Sequence, residues 1–201
     1  MAKKILKGVL VLMLLITVLG CNTPAKAKTP GQAELLYARE TLHNNFSTTP
    51  LDQKFIDLIV RAAFTAPTGG GQRSVEFFVV TDREVMKSIQ RGHPYSSGLD
   101  TAPLVVVVAA NETLARYPEL HEMDSGLAAM AMIVQATDLG LASCVLSISP
   151  QEERVQSAAN ALSMPDIYTP VLMVAFGYPA ADARTGASVD YKESQVHTNA
   201  Y

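Results

Sequence analysis

The chain has 201 residues, 48% of them hydrophobic, with 16 Lys and Arg against 19 Asp and Glu for a formal net charge of -3. That is ample apolar material for one domain plus an appendage. The slightly acidic balance, with its basic residues scattered along the chain, excludes an electrostatic nucleic-acid surface.

Lys3, Lys4 and Lys7 precede an apolar run from Gly8 to Leu19 that stops at Gly20 and Cys21. This is the charged, apolar and small-residue order of an export signal, and the run is short for a membrane span. Val18-Leu19-Gly20-Cys21 resembles the bacterial lipobox, which implies removal of residues 1–20 and a lipid on Cys21. The alternative is an uncleaved anchor helix with an incidental cysteine. Either places the protein in the cell envelope at a membrane, and the absence of a basic patch assigns attachment to lipid. Residues 21–31, broken by Pro24 and Pro30, read as a tether to a domain over 32–201. Cys144 then remains alone in an apolar strand pattern, the setting of a buried, inert thiol.

Within the domain, a helix is expected over residues 32–43, turning Leu35, Leu36 and Leu42 to the core and setting Arg39 and His43 on one face. A second helix is expected from Asp52 to Phe64. The run Thr68-Gly69-Gly70-Gly71 follows, with backbone able to lie flat against a ligand and offer its N–H groups. It has neither the spacing of a Walker A loop nor that of a dinucleotide fingerprint. A strand from Val75 to Thr81, an Asp82-capped helix to Gln90 and a continuously apolar central strand from Leu104 to Ala110 come next. The longest helical pattern runs from Pro118 to Leu139, with Met123, Leu127, Met130, Ala131, Val134 and Ala136 as its inward stripe and its methionines as core filler. A third strand from Ala142 to Ile148 leads to a helix with Ser149 as cap and Pro150 in its first turn. The fourth strand covers Val171 to Phe176, and a polar tail ends in Tyr201. Alternating helices and apolar strands indicate an α/β (α+β) domain, a sheet flanked by helices.

The residues offer no protein-borne catalyst. His43, His93, His121 and His197 lack metal-site spacing, and no serine has a nucleophile-elbow setting. A bound cofactor is therefore the expected source of chemistry, if the protein is an enzyme. Five segments in order then resemble the FMN-dependent nitroreductase superfamily: Arg39-Glu40-Thr41-Leu42-His43, Pro50-Leu51, the run from Ala66 to Val80, Asp124-Ser125-Gly126 with Leu139-Gly140-Leu141-Ala142-Ser143-Cys144, and Gly177-Tyr178-Pro179 with Val196-His197-Thr198-Asn199-Ala200-Tyr201. His43, Gly71 and Arg73-Ser74-Val75 depart from the family pattern, which has a basic residue, an asparagine and Gln-Pro-Trp there.

The resemblance implies a central mixed four- to five-stranded sheet and a homodimer with FMN between subunits and a C-terminal tail wrapping the partner. It implies Arg39 and His43 at the flavin phosphate, Thr41 nearer the ring or ribityl edge, and Thr68, Gly69 and Gly71 along ribityl chain and ring. It further implies Arg73 near phosphate or substrate, and a backbone N–H of Leu146-Ser147 at the flavin N5. The implied activity is hydride transfer from NAD(P)H or another donor to a nitroaromatic, quinone or similar electron-poor acceptor, with no catalytic side chain and no metal. The rival expectation is a non-enzymatic flavin- or tetrapyrrole-binding lipoprotein on the same fold.

Overall fold

A computed structural model describes residues 34–183 and 191–199, within a compact unit that runs from Ala33 to Tyr201. The export signal, the tether with Cys21, and Tyr201 lie outside the described residues. The elements are α1 (Glu34–Tyr37), α2 (Gln53–Ala63), β1 (Val75–Val80), α3 (Arg83–Gln90), β2 (Leu104–Asn111), α4 (His121–Asp138), β3 (Ala142–Ser147), α5 (Glu152–Ala161) and β4 (Tyr168–Gly177).

The sheet order is β1-β2-β4-β3, with every strand pair antiparallel. Thr41 adds a parallel bridge to Ser143 on the outer edge of β3, which makes the sheet mixed. β2 is buried along its whole length, as expected of a central β-branched run. Its one irregularity lies between Val108 and Ala109, where Ala109 meets Pro170, a residue with no N–H to give. Alternation then divides the core. Val105, Val107, Met173 and Ala175 face α3 and α5, while Val106, Val108, Val174 and Phe176 face α2 and α4. Asp52 and Asp82 cap α2 and α3 with side-chain hydrogen bonds from Lys54 N, and from Glu84 N and Val85 N.

Three expectations change. The first helix is a single turn, and Leu35 and Leu36 are exposed. Residues beyond it extend because the sheet takes their backbone: Leu42 N–H donates to Ser143 O at 3.0 Å and Ser143 N–H to Glu40 O at 3.2 Å. Secondly, α4 packs with Ala128, Ala129, Met132, Ile133 and Ala136, whereas Met123 (48% exposed), Leu127 and Met130 face outward. Both faces are apolar, so periodicity alone does not say which one is inside. Thirdly, Ser149 does not cap α5. Ile148 N–H and Ser149 N–H still donate to Val171 O, so the chain leaves the sheet late and the helix begins at Glu152 behind Gln151.

Candidate functional site

The outer edge of β3 carries the first group of candidate residues. Arg39 and Thr41, two apart in extended chain, point the same way, and Arg39 Nη1 donates to Thr41 Oγ1 at 2.8 Å. Arg39 has no carboxylate partner among the described residues. His43 does not join them: its Nδ1 lies 3.6 Å from Cys144 Sγ, and Cys144 belongs to the core on the α3/α5 side, with Leu42. Burial pushes the Cys144 thiol up, in keeping with an inert role.

Because Ser143 turns its N–H and C=O outward to residues 40–42, alternation turns those of Val145 and Ser147 outward as well. Leu146 N–H faces β4. Of the two residues expected to present an amide, Ser147 is therefore the one at the open edge. Its carbonyl is gripped from the side: His93 Nε2 lies 2.9 Å away and Arg154 Nη1 3.1 Å. Arg154 also lies over the Tyr95 ring, 5.5 Å from its centroid.

His93 is 3% exposed, and its Nδ1 is buried with no partner. A carbonyl only accepts, so Nε2 carries the ring proton. Burial lowers the His93 pKa from its ordinary 6.5; the Ser147 hydrogen bond opposes this and the Arg154 charge adds to it. The unfolded chain therefore binds more protons between the lowered folded value and 6.5, and stability falls as pH drops through that window. H93Q keeps an N–H for Ser147 O but does not titrate. It is expected to flatten the decline of Tm below about pH 6.5, and an unchanged slope would refute this assignment.

The second group lies where the chain enters β1. Residues Gly69–Gly71 form a 3-10 turn with φ of 57° at Gly70 and 69° at Gly71. A Cβ at Gly70 would come within 2.5 Å of the Tyr117 ring, so both backbone and packing require glycine there. The expected row of free amides is absent. Gly69 N–H donates to Asp124 Oδ1 at 2.8 Å and Gly71 N–H to Thr68 O at 3.0 Å, since both amides face the protein. Gly71 is open on its Cβ side. Thr68 Oγ1 accepts Arg73 N–H at 3.2 Å, and Arg73 has φ 50°.

Asp124, fully buried in the first turns of α4, also accepts Gln72 Nε2 at 3.0 Å on its other oxygen. Gln72 Oε1 in turn accepts the N–H groups of Arg116 and Tyr117. Sequence reasoning gave Asp124 no chemical role and missed His93 and Gln72. The Asp-x-Gly segment was the only signal for Asp124, and its hydrogen bond to Gly69 spans 55 residues.

The structure thus brings Arg39, Thr41 and Ser147 to one sheet edge and Thr68, Gly69, Gly71 and Arg73 to the other. Thr41 stands level with Phe176 through Ser143, and Val75 level with Thr169 through Ala110, at opposite ends of β4. Four strand spacings, on the order of 20 Å, separate the two corners across the sheet.

Residues 88–178 match the nitroreductase family profile. A protein of Methanothermobacter thermautotrophicus, provisionally named NADH dehydrogenase/NAD(P)H nitroreductase, is 29% identical over 133 residues, 66% of this chain and 70% of that one. A solved Bacteroides thetaiotaomicron protein with the same provisional name superposes with a TM-score of 0.78 at 26% identity, covering 86% of this chain and 100% of that one. A Clostridium acetobutylicum protein, provisionally an NADH oxidase, gives 0.77 at 27%, covering 83% and 99%. Residues 88–178 of this chain are thus similar to the nitroreductase family, and nearly the whole folded domain shares the fold of these two solved proteins.

Proposed function

We propose that two copies of this chain form an FMN oxidoreductase, each flavin lying between the β3 edge of one subunit and the glycine loop of the other. The observation that carries this reading is the placement of the candidate residues at diagonally opposite corners of one sheet, where no single nucleotide touches both. Met123, Leu127 and Met130 on the outer face of α4 supply an apolar surface for a second copy, beside a groove that includes Leu35 and Leu58. The exposed tail, with Tyr191 and Val196 in the open, suits a segment that wraps a partner.

The residues fit the cofactor. Arg39, half-buried and without a carboxylate partner among the described residues, offers a guanidinium fork to a phosphate, with Thr41 holding one of its nitrogens. Ser147 offers an edge N–H beside a carbonyl fixed by His93 and Arg154. Gly71, open where a side chain would stand, lets backbone approach a ring. Bound FMN supplies hydride chemistry, from NAD(P)H or another donor to a nitroaromatic, quinone or similar electron-poor acceptor.

The domain layout, with residues 1–20 removed and Cys21 lipidated, is proposed on the order of lysines, apolar run and cysteine. It puts the enzyme in the cell envelope.

The test is the absorbance spectrum of the purified protein after FMN loading and removal of free flavin, followed by NADH or NADPH without oxygen. Flavin bands that bleach and return on adding a quinone are expected. Failure to retain FMN contradicts the proposal. Bands that bleach with dithionite but with neither nicotinamide would favour a non-enzymatic flavin-binding protein.

A further inference from the structure

We infer that each subunit carries a pocket beside the start of β1 that binds a single aromatic ring bearing an anionic group. A cavity of about 130 Å³ lies among Phe64, Ala66, Thr68, Arg73, Val75 and Phe77. An apolar cavity of roughly this size accepts benzene. Phe64 closes α2 and stands 64% exposed, meeting Phe77 edge-on with ring centroids 5.2 Å apart. These two rings and Val75 form a slot with aromatic and aliphatic surfaces for one further ring.

The polar end of the slot suits an anion. Arg73 has a left-handed backbone, a conformation that is strained for a side chain of its kind, held by its N–H to Thr68 Oγ1. The guanidinium has no hydrogen-bond or carboxylate partner among the described residues, and no carboxylate lines the cavity. Thr68 Oγ1 accepts one hydrogen bond and keeps its own O–H to donate. A carboxylate on the ring would meet the Arg73 fork and the Thr68 hydroxyl together. The side chains at the slot favour such a ligand: Val75 is small enough to leave room for a ring, and Arg73 supplies the charge.

The pocket is built by one subunit and needs no flavin, so its test is separate from that of the redox function. Benzoate is titrated against the purified full chain without FMN and followed by ligand-observed NMR, with benzamide as the neutral comparison. Saturable benzoate binding is expected, at least about tenfold tighter than benzamide and weakened at least about tenfold in R73Q. V75W is expected to abolish it. Because the Arg73 side chain has no partner among the described residues, R73Q carries the test should V75W fail to fold. Absence of benzoate binding, equal binding of the two probes, or unchanged binding in R73Q would overturn the inference. Full displacement of benzoate by FMN would also overturn it, by giving Arg73 and its slot to the cofactor.

Discussion

Asp124→Asn is expected to cost about 2–4 kcal/mol of folding stability, nearly as much as Asp124→Ala, despite its near-identical shape. The carboxylate is fully buried and accepts Gly69 N–H on one oxygen and Gln72 Nε2 on the other. Gln72 cannot turn its amide to suit an asparagine, because its Oε1 already accepts Arg116 and Tyr117 N–H and its Nε2 also donates to Tyr117 O. Whichever way the new amide faces, its NH₂ group meets a donor, and one buried N–H loses its partner. Its place near the start of α4 also favours a negative charge over a neutral amide. Denaturant midpoints measure the loss, and faster amide exchange at Gly69 locates it in the loop. A shift under about 0.5 kcal/mol would show that the loop does not depend on this anchor.

Arg39→Ala is expected to weaken FMN binding by about 10- to 100-fold, from loss of a charge-assisted fork to phosphate, while His43→Ala changes it by less than about threefold. The contrast follows from where each side chain goes. Arg39 is held towards Thr41 and meets no carboxylate among the described residues, whereas the His43 ring lies against Cys144. Fluorescence quenching of FMN on titration with each variant separates the two. Equal losses would return His43 to the phosphate, and negligible loss in R39A would remove the phosphate assignment altogether.

How much of this was readable in the sequence depended on how local each feature is. The apolar run of β2 and the Asp82 cap of α3 carry their cause within a few residues, and the structure has them where expected. The segment around Arg39 and Thr41 does not. Leu35, Leu36 and Leu42 have helical spacing, but two backbone hydrogen bonds to Ser143, a hundred residues on, draw residues 40–42 into an edge strand. That change moves Thr41 to the side of Arg39, and the bend that begins at His43 turns its ring onto Cys144. Similarly, α4 is apolar all round, so its outward methionines looked like core. What decides its orientation is the sheet face it shares with α2, and the plainest case is Asp124, whose partner is fixed only when the glycine loop folds back onto α4.

The central claim is that one flavin site is completed by two subunits, and co-expression of two defective chains tests it most directly. R39A damages the β3 edge, and G71V places a branched side chain where the loop is open to a ligand. Each homodimer carries the same defect in both of its sites. A mixed dimer has one site with both defects and one with neither, so random pairing should restore FMN to about a quarter of all sites. With a different affinity tag on each chain, the fraction purified through both tags holds mixed dimers alone, and FMN in about half of its sites is expected. FMN occupancy no higher than the average of the two parents would mean that the site lies within a single subunit.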